Sequence, residues 1–173
     1  MSYRLYMHQH WISSFDIVNK YHIMNIRDLV EIKALSCNVT IPSSKVSLAT
    51  LSSLYLSIGF KPVPVHFKIS ESAFSIRKGN MAGFTISIKD VHAVYSLLDY
   101  IVTFILPLCN SPIKVNSTGN ISIGIENSTI LPELAHISLF NKNIFGFDLT
   151  IGTTKSFKGM SRFFFSSLEF PII

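Results

Sequence analysis

The sequence is poor in cysteine, glycine and acidic residues, and each shortage excludes a class of protein. Two cysteines in 173 residues cannot build a disulfide scaffold, and they form no CxxC pair. The 10 acidic residues show no tandem arrangement suited to acid–base catalysis. The 8 glycines form neither a P-loop nor a dinucleotide-binding motif, and no GxSxG is present. Six histidines are scattered without metal-ligand spacing, so neither an enzyme nor a cofactor is expected.

What the chain does contain is mostly apolar. Hydrophobic residues make up 48% and charged residues 14%, which excludes intrinsic disorder. A chain of this length is expected to form a single domain, residues 1–173, with a core of its own. The mean hydropathy of +0.40 is nevertheless combined with a net charge of +5 and a pI of about 9.3. This combination leaves a membrane protein and a basic RNA-binding domain open.

The best candidate for a membrane span is the apolar stretch 91–109. Its length suits a bilayer, but Asp99 lies in its middle, where a carboxylate is unfavourable. Its apolar residues recur at helical spacing on one side, with Asp90 as a natural N-cap and Pro107 as a natural end. An amphipathic helix packed on a sheet is therefore favoured, and a membrane-associated protein anchored by residues 91–109 is the alternative.

Hydrophobic periodicity divides the rest of the chain into helices and strands. Helices are predicted over residues 3–20, 42–58, from 90 to 107, and over 155–168. The apolar residues of the first helix are Leu5, Trp11, Ile12, Phe15 and Val18. Strands are predicted over residues 30–39, 63–69, 84–88, 121–126 and 147–153. Polar or irregular stretches are predicted as surface loops over residues 70–80, 108–118 and 132–145. Because no regular βαβ alternation is present, the class is α+β, with a mainly antiparallel sheet and helices on one face.

Positive charge is concentrated around the polar stretch between two predicted strands. The cations are Lys61, Lys68, Arg77, Lys78 and Lys89, and the stretch also holds Ser70, Ser72, Phe74 and Asn80. Cations and hydroxyls can bind phosphate, and an aromatic ring can stack on a base. From these residues alone, contact with RNA and an ordinary solvated hairpin connection both remain open.

A series of short motifs runs along nearly the whole chain. They are Lys61-Pro62, Ala73-Phe74-x-Ile76-Arg77-x-Gly79, Leu97-Leu98-Asp99, Gly119-Asn120-x-Ser122-x-Gly124, Pro132-Glu133, Gly146-Phe147-Asp148-Leu149-Thr150 and Phe170-Pro171. In this order they resemble the signature of the large-subunit ribosomal protein L-five family. The resemblance implies a split α+β domain related to RNA-recognition sheets, and a structural protein of the central protuberance of the ribosome.

The resemblance also implies which surfaces of this chain meet RNA. In that family one surface binds 5S rRNA and the neighbouring large-subunit rRNA, a loop reaches the elbow of the P-site tRNA, and another edge meets a small-subunit head protein. Carried onto this chain, the tRNA-facing loop is residues 70–81, with Ser70, Ser72, Phe74, Arg77, Lys78 and Asn80. The rRNA-binding residues are Arg4, Ser36, Asn38, Lys61, Lys68, Ser87 and Lys89. Phe74 either stacks on RNA or plugs the hairpin, and an isolated ring favours the plug.

The chain departs from the family pattern where that pattern is basic or rich in glycine. The family's Asn-x-Gly-x-Gly stands here as residues 36–40 (SCNVT), its Arg-rich segment as 108–114 (LCNSPIK), and its Arg before Gly-Leu-Asp as Phe145. Each lost arginine removes a phosphate contact, which leaves binding of 5S rRNA open. Low charge and abundant Ile, Phe, Asn and Ser resemble the mitochondrial branch. We therefore expect an organelle-encoded protein of the mitochondrial matrix with mitoribosomal protein neighbours, for which Phe60 and Phe145 are candidate contacts.

Overall fold

The computed structural model describes residues 4–40, 55, 58–74, 76–109, 113–131, 145–154 and 157–172. The helices are α1 (Arg4–His8), α2 (Ser14–Tyr21), α3 (Val91–Tyr100) and α4 (Lys158–Ser167). The strands are β1 (Ile32–Thr40), β2 (Val63–His66), β3 (Met81–Ile88), β4 (Lys114–Val115), β5 (Ile121–Ile125) and β6 (Phe147–Thr153). Wider π-helical turns at Gln9–Ser13 and Ile101–Ile105 continue α1 and α3.

The strands form one six-stranded sheet in the order β2-β3-β1-β6-β5-β4. Strand β2 pairs antiparallel with β3, with Val63 opposite Thr85, and β4 pairs antiparallel with β5, with Lys114 opposite Ser122. Both pairs join neighbours along the chain, as hairpins do. Helix packing accompanies the sheet, since α4 contacts β4. The predicted α+β class with an antiparallel sheet is confirmed.

The chain forms two compact units. The first comprises Met1–Ser36, Ile88–Ile123 and Leu149–Ile173, and the second comprises Cys37–Ser87 and Gly124–Asp148. In the first unit α1 contacts α3 and α2 contacts α4, around a core that includes Phe164, Phe165, Ile17, Leu98 and Ile151. In the second unit the buried side chains include Cys37, Val39, Phe84, Ile86 and Phe147.

The N-terminal helix is continuous from Arg4 to Tyr21, which confirms the helix predicted over residues 3–20. It ends where His22 adopts a left-handed backbone conformation, with φ of 51°. The π-helical turn in its middle was not predicted, because hydrophobic spacing does not distinguish it from an ordinary turn. That turn changes which side chains face the core, as described below.

The segment Val91–Leu108 has the length and apolar composition that a membrane span requires, and a core helix of a soluble protein meets the same criterion. Asp90 caps it, since its Oδ2 accepts a hydrogen bond from the Ala93 N–H at 3.2 Å. Its buried residues include Val94, Leu98 and Ile101. Midway along it, Asp99 accepts hydrogen bonds from Arg4 at 3.0 and 3.1 Å. A charged pair midway along the segment is unfavourable inside a bilayer, which favours a helix of the folded domain over the membrane alternative.

Several element boundaries differ from those that periodicity predicts. Strand β2 ends at His66 rather than residue 69, because the register with β3 shifts between Val65 and His66. Strand β3 begins at Met81, earlier than the alternation starting at residue 84 suggests. Helix α4 begins at Lys158 rather than residue 155.

Part of the predicted loop 108–118 is also a strand. Lys114 and Val115 form β4, and both Ile113 and Val115 are buried. Pairing with β5 defines this strand, which is too short for its side chains to show a period. The helix predicted over 42–58 and the loop predicted over 132–145 lie outside the described residues, apart from Tyr55, Ile58 and Phe145.

Gly83 permits the close approach of β3 to β1. A Cβ atom at this position would overlap the Val39 carbonyl oxygen and lie 3.0 Å from its carbon. We expect Gly83→Ala to lower the free energy of unfolding by about 1–3 kcal/mol, because one strand has to shift. Urea denaturation measures this loss.

Gly152→Ala is the matched control, because its Cβ would meet the Ala34 carbonyl oxygen at 3.5 Å, an ordinary contact. We expect it to change the free energy of unfolding by less than about 1 kcal/mol. Equal losses in the two variants would contradict the steric argument.

Candidate nucleic-acid interface

The hairpin of β2 and β3 extends beyond its two strands as an ordered ribbon. The Phe67 N–H donates to the Asn80 carbonyl at 2.9 Å, and the Gly79 N–H donates to the Phe67 carbonyl at 3.0 Å. Farther out, Glu71 and Ile76 exchange backbone hydrogen bonds of 2.9 and 3.0 Å. Backbone pairing therefore fixes the path of the loop 70–81 on both sides of its tip.

Two local features shape the returning side of this ribbon. Gly79 has a φ of +89°, which glycine adopts without steric strain, and it lies within a turn that the Asn80 N–H closes by donating to the Arg77 carbonyl at 3.1 Å. The Ser70 hydroxyl accepts a hydrogen bond from the Lys78 N–H at 2.9 Å. Ser70 thus acts on the backbone, and it fixes the position from which the Lys78 side chain projects.

The ribbon carries exposed cations. Lys68, Arg77 and Lys78 are exposed, and none of them forms an ion pair with a carboxylate among the described residues. Ser72 and Asn80 are exposed as well, at the tip and on the returning side. Unpaired guanidinium and ammonium groups beside small polar groups can bind phosphate oxygens. The side chain of Phe74 lies outside the described part of the structure, so its role remains a prediction.

Strand β1 presents polar side chains on one face. Leu35, Cys37 and Val39 are buried, whereas Ser36 and Asn38 between them are half-buried, as strand alternation requires. The Ser36 hydroxyl donates to the Thr150 carbonyl at 3.4 Å, a long hydrogen bond.

Asn38 belongs to a polar patch shared by two strands. Its Oδ1 accepts a hydrogen bond from the Thr85 hydroxyl at 3.0 Å, and Ser87, two residues along β3, is exposed. Lys61 is exposed and precedes β2, whose register places Val63 opposite Thr85. The fold therefore places Asn38, Ser87 and Lys61 on or next to three neighbouring strands, β1, β3 and β2.

Two of the predicted rRNA-binding residues stand apart from these groups. Arg4 forms an ion pair with Asp99 at 3.0 Å and lies 3.7 Å from a Glu169 carboxylate oxygen. Its charge is therefore balanced within the first unit, which leaves less of it for phosphate. Lys89 is exposed immediately after β3, beside the cap of α3.

The buried titratable groups have packing roles. Burial raises the pKa of the Cys37 thiol to about 12, with a smaller contribution from the charge of Asp148, so this thiol is neutral at physiological pH. Burial also raises the pKa of Cys109. Within the described ranges, no three His, Cys, Asp or Glu side chains are grouped so that they could hold a metal ion.

A groove on the N-terminal helix was not identified from the sequence. It has a volume of about 560 Å³, and its lining includes Tyr6, Trp11, Phe15 and Glu31. The helical pattern indicated an apolar face, yet Trp11 and Phe15 are 62% and 60% exposed while Ile17 is buried.

Phe60 and Phe145, the two residues expected to contact protein neighbours, are both half-buried.

Comparison with known proteins agrees with the motif order. A sequence model described as the ribosomal L5P family C-terminus matches residues 77–172, which is more than half of the chain. The chain belongs to the ribosomal L5P family. The match begins at Arg77, in the ribbon, and includes β3 to β6 and helices α3 and α4.

Full-length relatives extend this similarity to the N-terminus. The chain is 27% identical to the large ribosomal subunit protein uL5m of Reclinomonas americana, over 98% of this chain and 97% of that protein. It is 23% identical to uL5 of Nostoc punctiforme, over 90% of this chain and 88% of that protein. It is 26% identical to uL5 of Mycoplasma pneumoniae, over 77% and 75%. The L5P family is a class of structural ribosomal proteins, and membership supports a structural role in the ribosome.

Proposed function

We propose that this protein is a structural, rRNA-binding component of the mitochondrial large ribosomal subunit. Family membership supports the ribosomal role, and similarity to a mitochondrial uL5m along almost the whole chain supports the compartment. The observation that carries the proposal is the backbone-paired ribbon beyond β2 and β3, whose exposed Arg77 and Lys78 form no ion pair with a described carboxylate. Exposed cations of this kind are suited to binding phosphate groups, and they are not suited to covering an apolar membrane helix.

In this proposal the ribbon contacts the elbow of the P-site tRNA. Arg77 and Lys78 neutralise phosphates, and Ser72 and Asn80 donate hydrogen bonds to phosphate or ribose oxygens. Because hydrogen bonds at Ser70 and across the ribbon already fix the backbone, binding requires little further ordering of the chain. The contact is therefore one of shape and charge, without a base-specific code.

The polar patch of the hairpin contacts rRNA in the central protuberance, either 5S rRNA or its neighbourhood. Asn38 and Ser87 offer an amide and a hydroxyl, which can bind ribose 2′-hydroxyls and base edges, while Lys61 and Lys68 supply charge. Ser36, in the middle of β1, and Lys89, directly after β3, are further candidates. In this proposal another edge of the protein contacts a head protein of the small subunit. The gene is proposed to be organellar.

The first test is the particle in which the protein resides. We expect it to sediment with mitochondrial large ribosomal subunits through a sucrose gradient in moderate salt, and to leave the membrane fraction on carbonate extraction. Recovery only in light, ribosome-free fractions would contradict the proposal. Retention in the carbonate-washed membrane pellet would instead support an anchor over residues 91–109.

A double substitution tests the phosphate contacts of the ribbon. We expect Arg77→Ala with Lys78→Ala to reduce the slope of log Kd against log salt concentration by about 1.4 to 1.8, because two phosphates no longer release counterions. Binding of the purified chain to tRNA is measured by filter retention at several salt concentrations.

The control pair is Lys158→Ala with Arg162→Ala, which removes two exposed cations from α4. We expect the salt slope of this variant to match that of the unchanged chain. A slope that falls equally in both variants would show that the positive charge acts non-specifically, and an unchanged slope in the ribbon variant would exclude its phosphate contacts.

Asn38→Asp tests the polar patch without removing a contact inside the protein. The Thr85 hydroxyl can donate to a carboxylate oxygen as it does to the Asn38 amide oxygen, so the fold is retained. We expect the new negative charge to weaken binding to a transcript of the organelle's large-subunit rRNA about tenfold, by repulsion of nearby phosphate. Gel shift of the purified chain with that transcript measures the change.

Asn19→Asp is the matched control, because it adds the same charge at an exposed position of α2. We expect it to leave rRNA affinity within about twofold, since an exposed charge is screened beyond roughly 8 Å. Equal weakening by both substitutions would mean that net charge, and not the patch, governs affinity.

A further inference from the structure

The groove on the N-terminal helix shares no residue with the surfaces proposed to bind RNA. Its walls are formed by the helix from Tyr6 to Val18, by Ile26 to Ile32, and by Val91 and Tyr95 of α3. Trp11, Phe15 and Ile26 are largely exposed at its rim, with Ile26 at 83%. Contiguous exposed apolar groups of this kind typically mark a surface that a partner covers.

The inner end of the groove contains a polar contact between two of its lining side chains. Gln9, which is 8% exposed, accepts a hydrogen bond from the Tyr95 hydroxyl, and the Tyr6 ring meets the Tyr95 ring edge-on at a centroid distance of 5.2 Å. Gln9 begins the π-helical turn Gln9–Ser13. Such turns occur frequently at functional sites, because they redirect side chains out of the regular helical pattern.

The charge of the groove is negative. Among its described lining residues, Glu31 is the sole Asp, Glu, Lys or Arg. Its backbone is held by Thr154, with hydrogen bonds of 2.8 and 2.9 Å, but its carboxylate forms no ion pair with a described cation. The carboxylate also acts on Tyr95, whose pKa is raised by burial and, to a smaller extent, by the charge of Glu31.

We infer that this groove binds an arginine or lysine side chain presented by a basic segment of a neighbouring protein. The rings of Trp11 and Phe15 attract a cation through their quadrupoles, and Glu31 supplies the opposite charge. The apolar stem of the cationic side chain packs along Ile26 and the ring edges. Together these groups provide the aromatic and acidic surroundings that a guanidinium group requires.

Charge distinguishes this occupant from the others that an aromatic groove could take. A nucleotide base can stack on Trp11, but its phosphates would then approach the Glu31 carboxylate, and no Lys or Arg lines the groove among the described residues. A second copy of this chain would have to bring the same negative charge to the same place in a symmetric contact. A cationic protein segment is the partner that satisfies both the rings and the carboxylate.

The chain has a built-in reporter, because Trp11 is its single tryptophan. The full-length protein is titrated with the capped peptide Ala-Leu-Arg-Leu-Ala and with the same peptide carrying citrulline in place of arginine, and the Trp11 fluorescence is recorded. Citrulline retains the shape of arginine and removes its charge. We expect the arginine peptide to bind about three- to tenfold more tightly than the citrulline peptide.

Two variants and one control assign the preference to the groove. Glu31→Gln is expected to abolish the difference between the two peptides, and Phe15→Ala to weaken binding of both. Glu71→Gln makes the same substitution at an exposed residue outside the groove, and we expect it to leave the preference unchanged. Far-UV circular dichroism establishes that each variant is folded.

Several outcomes would overturn the inference. They are equal binding of the two peptides, no response to either peptide at millimolar concentration, and a preference that survives Glu31→Gln. Tighter binding of a mixed-sequence RNA octamer, in competition with the arginine peptide, would identify a base-stacking site instead. Concentration-dependent self-association that Trp11→Ala abolishes would identify a second copy as the occupant.

Discussion

The position of β1 between β3 and β6 is the constraint on which the rest of the sheet depends. A strand paired on both edges cannot bend away from its neighbours, and Gly83 allows β3 to approach the backbone of β1 where a side chain would not fit. With Leu35 and Cys37 buried, alternation leaves Ser36 and Asn38 to the other face. The same alternation that buries the apolar residues of β1 therefore also places its polar residues in the patch. The raised pKa of Cys37 has the same cause, since its thiol lies in that dry core.

Local sequence patterns predicted the elements whose buried residues follow from the alternation or helical spacing within the element itself. Strand β6 was predicted over the residues that form it, because apolar and polar side chains alternate without interruption from Phe147. Helix α3 was predicted from its apolar face and from the cap that Asp90 provides. Strand β4 could not be predicted, since two residues show no period and only pairing with β5 defines them. The end of β2 likewise depends on a register shift between strands.

In the candidate sites, likewise, groups of residues close together along the chain could be predicted, and contacts between distant residues could not. The cations of the ribbon are close together along the chain, so their grouping around residues 70–81 could be predicted. The pairing of Arg4 with Asp99 joins residues 95 positions apart, and nothing local indicates it. The groove was missed because a wider turn adds a residue to the N-terminal helix, and each residue rotates a helix by about 100°. Trp11 therefore lies outside the core that its helical spacing suggested, while Ile17 lies within it.

The low net charge of +5 also bears on how such a chain can be held in a ribosome. Few cations can neutralise few phosphates, so RNA contacts alone give a weak attachment whose salt dependence is correspondingly shallow. The ribbon carries the exposed cations Arg77 and Lys78, for which we propose phosphate partners, and the groove carries the Glu31 carboxylate among aromatic rings. None of these three side chains forms an ion pair within the described part of the chain. Because salt screens exposed charges beyond roughly 8 Å, each surface selects its partner only at contact distance. Attachment through both surfaces multiplies two modest affinities, since the second contact forms within the same particle. If the proposed contacts form, a protein neighbour in the groove adds to the attachment that a small number of RNA contacts provides.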